Sequence, residues 1–225
     1  MTSLSIVVPV LDEAEGIVAT LASLAPLRAR GAELIVVDGG SRDATVARAQ
    51  ALADRVIEGP RGRARQMNAG AAVARAPTLL FLHADTRLPE DADRLIASAL
   101  GAAPLAWGRF DVAIEGHSRM LPVVAAMMNL RSRLSGIATG DQAMFMTRAA
   151  FEAAGGFPDQ PLMEDIELSA RLKRLSTPVC LRERVLTSGR RWEQRGVWRT
   201  IVLMWRLRLL YALGVRADRL APWYR

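Results

Sequence analysis

An imidazole and a carboxylate stand two residues apart where the apolar run TLLFL gives way to HADT, at His83 and Asp85. Acids gather after two other apolar runs: Asp12 and Glu13 follow LSIVVPV, and Asp38 ends ELIVVD. One acidic strand end is commonly a cap or turn residue, but three along one edge repel unless a cation or ligand joins them. Alternation along a strand aims His83 and Asp85 to the same side. A carboxylate beside a phosphate site is the usual holder of Mg2+ or Mn2+, hard ions that share oxygen ligands with substrate phosphates. For His83 a structural place between sheet and helix is an equal alternative. A further pair, Glu164-Asp165, opens EDIELSARL after the Gly- and Pro-rich GGFPDQPLM. Acids suit a first helical turn through the dipole alone. A group transfer to an alcohol also needs a general base near the acceptor hydroxyl. Spacing leaves both readings open.

The elements that must hold these residues alternate over the first hundred positions. Leu4–Val10, Glu33–Asp38, Arg55–Glu58 and 78–83 read as short apolar strands. Helical patterns separate them: one from the acids at 12–15 through Leu27, one over 44–52 capped by Asp43, one from Pro60 to Arg75, and one opened by Pro89. Strands apolar on both faces and divided by helices specify a mostly parallel sheet covered on both sides, an α/β fold. Ligands of such sheets bind outside the carboxyl ends of the strands. In the second half, 105–114 and 142–147 read as strands and 117–134, 164–174 and 195–213 as helices. One domain over 1–225 is expected, in a first part at 1–100, a second at 101–194 and an amphipathic helix and tail at 195–225.

The 225 residues carry 30 Lys and Arg against 23 Asp and Glu, a net charge of +7, and Lys173 is the sole lysine. That excess asks for an anionic partner: nucleic acid, an anionic lipid surface or a phosphorylated substrate. The few aromatics do not alternate with the arginines, so nucleic acid is not expected as a partner. The single cysteine, Cys180, excludes a disulfide framework and fits a reducing compartment. No secretory leader pattern opens the chain, which points to the cytoplasm. G-x-G-x-x-G, G-x-x-x-x-G-K-[ST] and G-x-S-x-G are absent, and His83 and His117 lack further ligands at zinc-like spacing.

Together the segments resemble the family 2 glycosyltransferases, enzymes of the nucleotide-diphospho-sugar transferase (GT-A) fold. SIVVPVLDEAEGI and LIVVDGGSRDAT are similar to the family's first two strands and loops. RGRARQMNAGAAVA is similar to the segment before its metal strand, FLHADT takes the place of its D-x-D, and GDQAMFMTRAAFEAAGGFP and EDIELSARL resemble its acceptor strand and acidic pair. The resemblance implies that Pro9, Asp12 and Glu13 line the nucleotide, that Asp38 reads the base, and that Arg65, Asn68 and His83 face the nucleotide-sugar. It implies Asp85 on a divalent cation, Mg2+ or Mn2+, and Asp165, beside Glu164, as the base of an inverting single displacement. Asp141, Gln142, Arg191 and Trp192 would face the acceptor. Two departures stand out: His83 replaces the first acid of D-x-D, and Ser188 replaces the glutamine of Q-x-x-R-W while Arg191-Trp192 remain. Both point to a metal site resting on Asp85 and to a non-processive enzyme adding one sugar. HAD, GDQ and TSGRRW are most similar to a small branch associated with arsenosugar biosynthesis.

The implied partners are a nucleoside-diphosphate sugar and a hydroxyl acceptor. The apolar, arginine-bearing segments 121–133 and 197–213 are too short and too charged to span a bilayer. They suit burial in the fold, a homodimer contact, or the inner face of a membrane. The competing readings are a degenerate module that binds nucleotide-sugar without turnover, and a nucleotidyltransferase. The latter would need a glycine-rich, lysine-bearing loop where LDEAEG stands.

Overall fold

A computed structural model describes residues 3–224. Its strands are β1 Leu4–Val10, β2 Glu33–Asp38, β3 Arg55–Glu58, β4 Thr78–Phe81, β5 Thr86–Arg87, β6 Trp107–Glu115, β7 Phe145–Thr147 and β8 Val179–Ser188. The helices are α1 Ile17–Ser23, α2 Ala25–Ala29, α3 Thr45–Gln50, α4 Arg63–Val73, α5 Ala92–Leu100, α6 Leu121–Ser135, α7 Arg148–Ala153, α8 Glu164–Leu175, α9 Arg190–Arg195, α10 Val197–Ala212 and α11 Ala217–Tyr224. All eight strands form one sheet in the order β3-β2-β1-β4-β7-β6-β8-β5. β3, β2, β1 and β4 run parallel, β7 runs antiparallel between β4 and β6, and β6 and β8 are parallel.

This order fixes where the site forms. β1, β2, β4, β6 and β8 all end toward one edge, and the reversed β7 begins there. The loops after Val10, Asp38, Phe81 and Ser188 and the loop before Phe145 therefore meet at a common rim. Alternation does the rest: Leu4, Ile6, Val8 and Val10 enter a core under α1, α5 and α6, while Val7, Ile35, Val37 and Leu79 enter a second core under α4, α7 and α8. A third, smaller cluster joins Leu162 and Met163 to Leu207, Leu220 and Ala221. The chain is thus an α/β protein with a largely parallel sheet flanked by helices. No described helix is long and apolar enough to cross a membrane.

The sequence-based boundaries need several corrections. The stretch through Leu27 is two helices, and α1 begins at Ile17, so the acids at 12–15 lie in a turn and not on a helical first turn. Asp43 sits one residue before the cap position of α3; its carboxylate accepts from the Thr45 amide at 2.9 Å and the Ala14 amide at 3.1 Å. The fourth strand stops at Phe81, before His83. The 195–213 helix divides at Gly196, whose φ of 81° favours glycine. β8 has no counterpart in the sequence reading. Its stretch RERV carries charge where a buried strand would be apolar, because only its later part enters the core.

The close approach of α4 to the sheet rests on Gly70, where a Cβ would lie 2.3 Å from Val7 Cγ1 and 3.0 Å from Val37 Cγ2. Gly70→Ala should lower stability by about 1–3 kcal/mol through overpacking, measured by urea unfolding. An exposed helical glycine would instead gain about 1 kcal/mol from the change.

Candidate active site

A cavity of about 2010 Å3 opens at the common rim. Pro9, Glu13, Arg65, His83, Asp85, Asp141, Glu164, Arg191 and Trp192 line it, bringing together residues from both halves of the chain. Asp12, Asp38, Asn68, Gln142 and Asp165 do not line it, and each is occupied elsewhere. Asp38, 3% exposed, accepts from the amides of Gly40 and Ser41 at 3.0 Å and from the Ser41 hydroxyl, closing the turn after β2. Asp12, at a φ of 52°, accepts from the Arg42 amide at 2.8 Å and ties the first loop to the second. Asn68 exchanges two hydrogen bonds with the backbone of Phe157, at 2.8 and 2.9 Å. Gln142 closes a capping box on Thr139.

The densest chemistry lies where α8 begins. Met163 precedes the helix in a left-handed conformation with a φ of 64°, strain of a kind that concentrates at functional sites. The two acids that follow diverge. Glu164 turns its carboxylate to the cavity, where Arg63 Nη1 stands 3.9 Å away. Asp165 turns inward, accepting from the Gly140 amide at 2.8 Å and the Ile166 amide at 2.7 Å. Burial pushes both carboxyls above the usual range; the Asp165 charge adds to the effect on Glu164, and the two amides work against it at Asp165.

His83 pairs with the loop that precedes β7. Its Nδ1 lies 3.2 Å from Asp141 Oδ1. At Asp141 burial acts to raise the pKa, but the His83 hydrogen bond and the Arg63 and Arg191 charges outweigh it and hold the carboxyl below its usual range. The imidazole rests close against Gly140: a Cβ there would fall 2.3 Å from Nε2 and 2.5 Å from Cε1. One glycine thus admits the ring and donates its amide to Asp165.

Across the cavity stand Glu13 and Asp85. Burial raises the Glu13 pKa, Asp85 adds to the rise, and Arg190, 3.7 Å away, opposes it. Asp85 is exposed to the cavity, with a long 3.4 Å contact from the Thr86 hydroxyl as its side-chain bond. Among the described residues no cluster of three or more His, Cys, Asp or Glu side chains converges on a metal position. One or two carboxylates completed by substrate phosphates is nonetheless the usual donor set for Mg2+, and Asp85 with Glu13 fits it.

Gln66, Asp159 and Tyr224 escaped the sequence reading, and the last two hold arginines that it places in the site. Gln66, 4% exposed, donates to the carbonyls of Val10 and Val37 at 2.8 Å, joining the ends of β1 and β2. Arg65 pairs with Asp159 at 2.7 Å on the rim. The Arg191 guanidinium stacks 3.4 Å over the Tyr224 ring and donates to the Tyr224 carbonyl, which Arg195 also reaches at 2.8 Å. The RGRARQ spacing was a usable signal for Arg63 and Gln66; nothing local marks Tyr224.

Residues 5–151 match the model of the family described as glycosyl transferase family 2. No curated protein sequence matches the chain. Solved structures do. The mannosyltransferase PcManGT from Pyrobaculum calidifontis, in complex with GDP-Man and Mn2+, gives a TM-score of 0.65 at 20% identity, covering 91% of this chain and 60% of its own. S. aureus TarS 1-349 in complex with UDP-GlcNAc gives 0.66 at 15% identity, covering 83% and 58%. Glucosyl-3-phosphoglycerate synthase from Mycobacterium tuberculosis, in complex with Mn2+, UDP and glucosyl-3-phosphoglycerate, gives 0.58 at 20% identity, covering 83% and 71%. The chain spans about three-fifths of the length of the first two. These likenesses establish a shared GT-A fold. With more than half of its residues inside the family match, the chain belongs to glycosyl transferase family 2.

Proposed function

We propose that the protein transfers one sugar from a nucleoside-diphosphate sugar to a hydroxyl acceptor by an inverting single displacement. The observation that carries the reading is the adjacent Glu164-Asp165 pair: buried Glu164 faces carboxylates of the opposite rim across one cavity, and half-buried Asp165 stands directly behind it on two backbone amides. The first-half loops would bind the nucleotide, with Pro9 and Glu13 on the cavity wall and Asp12 and Asp38 shaping the turns beneath. Asp38, fully engaged by Ser41 and Gly40, would read the base only by exchanging those bonds. Arg65 and His83 would meet the diphosphate-sugar, while Asn68 would hold the Phe157 loop that shapes the wall beside it. A divalent cation on Asp85, with Glu13 beside it, would neutralise charge on the departing diphosphate.

At the other end the acceptor hydroxyl gives its proton to the acidic pair as its oxygen attacks the anomeric carbon from the face opposite the diphosphate. Asp165 is the anchored member, fixed by two amides, and Glu164 presents its carboxylate to the cavity. Their adjacency makes them titrate as a pair, and raised values leave a carboxylate basic enough to accept a proton near neutrality. Asp141 and His83 would orient the acceptor beside them; Arg191 and Trp192 close the rim, and Gln142 braces the β7 loop. Neighbours bound to nucleotide-sugars, nucleotides and Mn2+ support the donor class.

UDP or GDP with Mn2+ should raise the melting temperature, and Asp85→Ala should remove most of the Mn2+-dependent part of that shift. No stabilisation by any nucleoside diphosphate would refute the donor assignment.

Asp165→Asn and Glu164→Gln should each lower kcat by about 10²–10⁴, with nucleotide binding retained. Activity in the wild type should rise with pH through a value above the usual carboxylate range. Full turnover by Asp165→Asn would remove Asp165 as base.

The same burial has a cost in stability. A carboxyl whose folded-state pKa exceeds its unfolded value makes the folded chain the tighter proton binder, so stability falls as pH rises between the two values. Glu164→Gln should therefore melt higher than wild type at pH 8, with the gain vanishing below about pH 4. A lower melting temperature at pH 8 would contradict the geometry.

A further inference from the structure

α6 and α10 carry apolar side chains that the fold has not covered. Val123, Met127, Leu130 and Leu134 are 51, 52, 52 and 80% exposed, and Trp198 and Trp205 are 68 and 70% exposed. All six line the cavity that also holds Glu164 and Asp85. Steps of four, three, four and seven residues gather them into one stripe on each helix. From Val123 to Leu134 the stripe runs about 16 Å at the helical rise, comparable to an extended dodecyl chain. Uncovered apolar surface of this extent marks a binding face.

Its polar end is defined as sharply. Arg131 also lines the cavity, and its Nε and Nη2 are buried without a hydrogen-bond partner. Among the described residues no other buried side-chain nitrogen or oxygen is left so. Asp165 and Asp141 attract this guanidinium from a distance, and Arg109 repels it. Of the other cavity arginines, Arg65 is engaged by Asp159, Arg63 by Glu164 and Arg191 by Tyr224, while Arg61 and Arg208 are without such partners but leave no buried nitrogen unsatisfied. Two buried guanidinium nitrogens without hydrogen bonds, on a half-buried arginine, are costly and call for an anion.

An apolar track leading to an unpartnered cation matches a molecule that is apolar along its length and anionic at its inner end. We propose that the acceptor is an amphiphile, a hydroxyl-bearing head with a phosphate on a long apolar chain, the chain lying along α6 and α10 and the phosphate on Arg131. The role as acceptor rests on the transferase reading; the binding does not. Charge decides against a neutral lipid, and a position inside the catalytic cavity decides against a face that merely touches a membrane.

Dodecyl phosphate below its micellar concentration tests this, read by tryptophan emission and thermal shift beside inorganic phosphate, dodecyl maltoside and dodecyltrimethylammonium. Expected are a blue shift from Trp198 and Trp205 and saturable binding at least tenfold tighter for dodecyl phosphate than for the other two chains, with inorganic phosphate weaker still. Arg131→Gln should erase the preference over the maltoside. The exposed-site variant Met127→Glu should weaken every chain-bearing probe about tenfold, with unchanged circular dichroism and an unchanged nucleotide–Mn2+ shift. Equal binding of all three dodecyl probes overturns the proposal. So does an oligomer in sedimentation velocity that Met127→Glu dissolves, or binding to anionic phosphatidylglycerol vesicles without binding of monomeric dodecyl phosphate. A nucleotide–Mn2+ shift without dodecyl phosphate binding sinks this inference and leaves the transferase reading standing. Dodecyl phosphate binding without any nucleotide shift removes the acceptor role.

Discussion

Two neighbouring carboxyls drawn away from bulk water, Glu164 buried and Asp165 half-buried, are the constraint around which the site is arranged. Burying Glu164 and Asp165 together is unfavourable for both charges, and the surrounding structure answers with specific partners. Asp165 receives two backbone amides, Glu164 faces Arg63, and His83 pairs with Asp141 in the loop before β7. The left-handed Met163 sets where α8 begins and hence which carboxyl looks into the cavity. Gly140 serves two of these needs at once, since a side chain there would collide with the imidazole and displace the loop whose amide Asp165 holds.

The sheet order makes that arrangement affordable in distance. Because β7 runs backward between β4 and β6, the loop before it reaches the same rim as the ends of β1, β4 and β8. Residues more than fifty positions apart, such as His83 and Asp141, come within hydrogen-bonding range. The C-terminal segment completes the wall: Leu207, Leu220 and Ala221 pack on Leu162 and Met163, and the Tyr224 carbonyl sits between Arg191 and Arg195. The arginine of an incomplete Q-x-x-R-W thus has a visible task, holding the tail against the rim of the cavity.

The division of the first-half acids into two groups is a second consequence of loop geometry. Glu13 and Asp85 stay open to the cavity, while Asp12 and Asp38 spend their oxygens on turn amides. In sequence the four look alike, each an acid after an apolar run. Their separation depends on which backbone amides the neighbouring loop offers, as Ser41 and Arg42 do here.

The sequence by itself determined the first three strands to the residue, the two-sided burial of the sheet and the strand-end acids, because alternation and apolar runs are local signals that tertiary context rarely reverses. It also marked the family through the order of its motifs. It did not reveal β8, whose charged stretch hides a strand that only pairing with β6 and β5 specifies, nor the break at Gly196. Only the tertiary structure decided that Glu164 rather than Asp165 opens on the cavity, that Asn68 and Gln142 serve the loops around it, and that Arg63, Arg131 and Tyr224 belong to its walls. The reason is physical: a side chain's direction and partners depend on segments far away in the chain, and residue type carries no record of them.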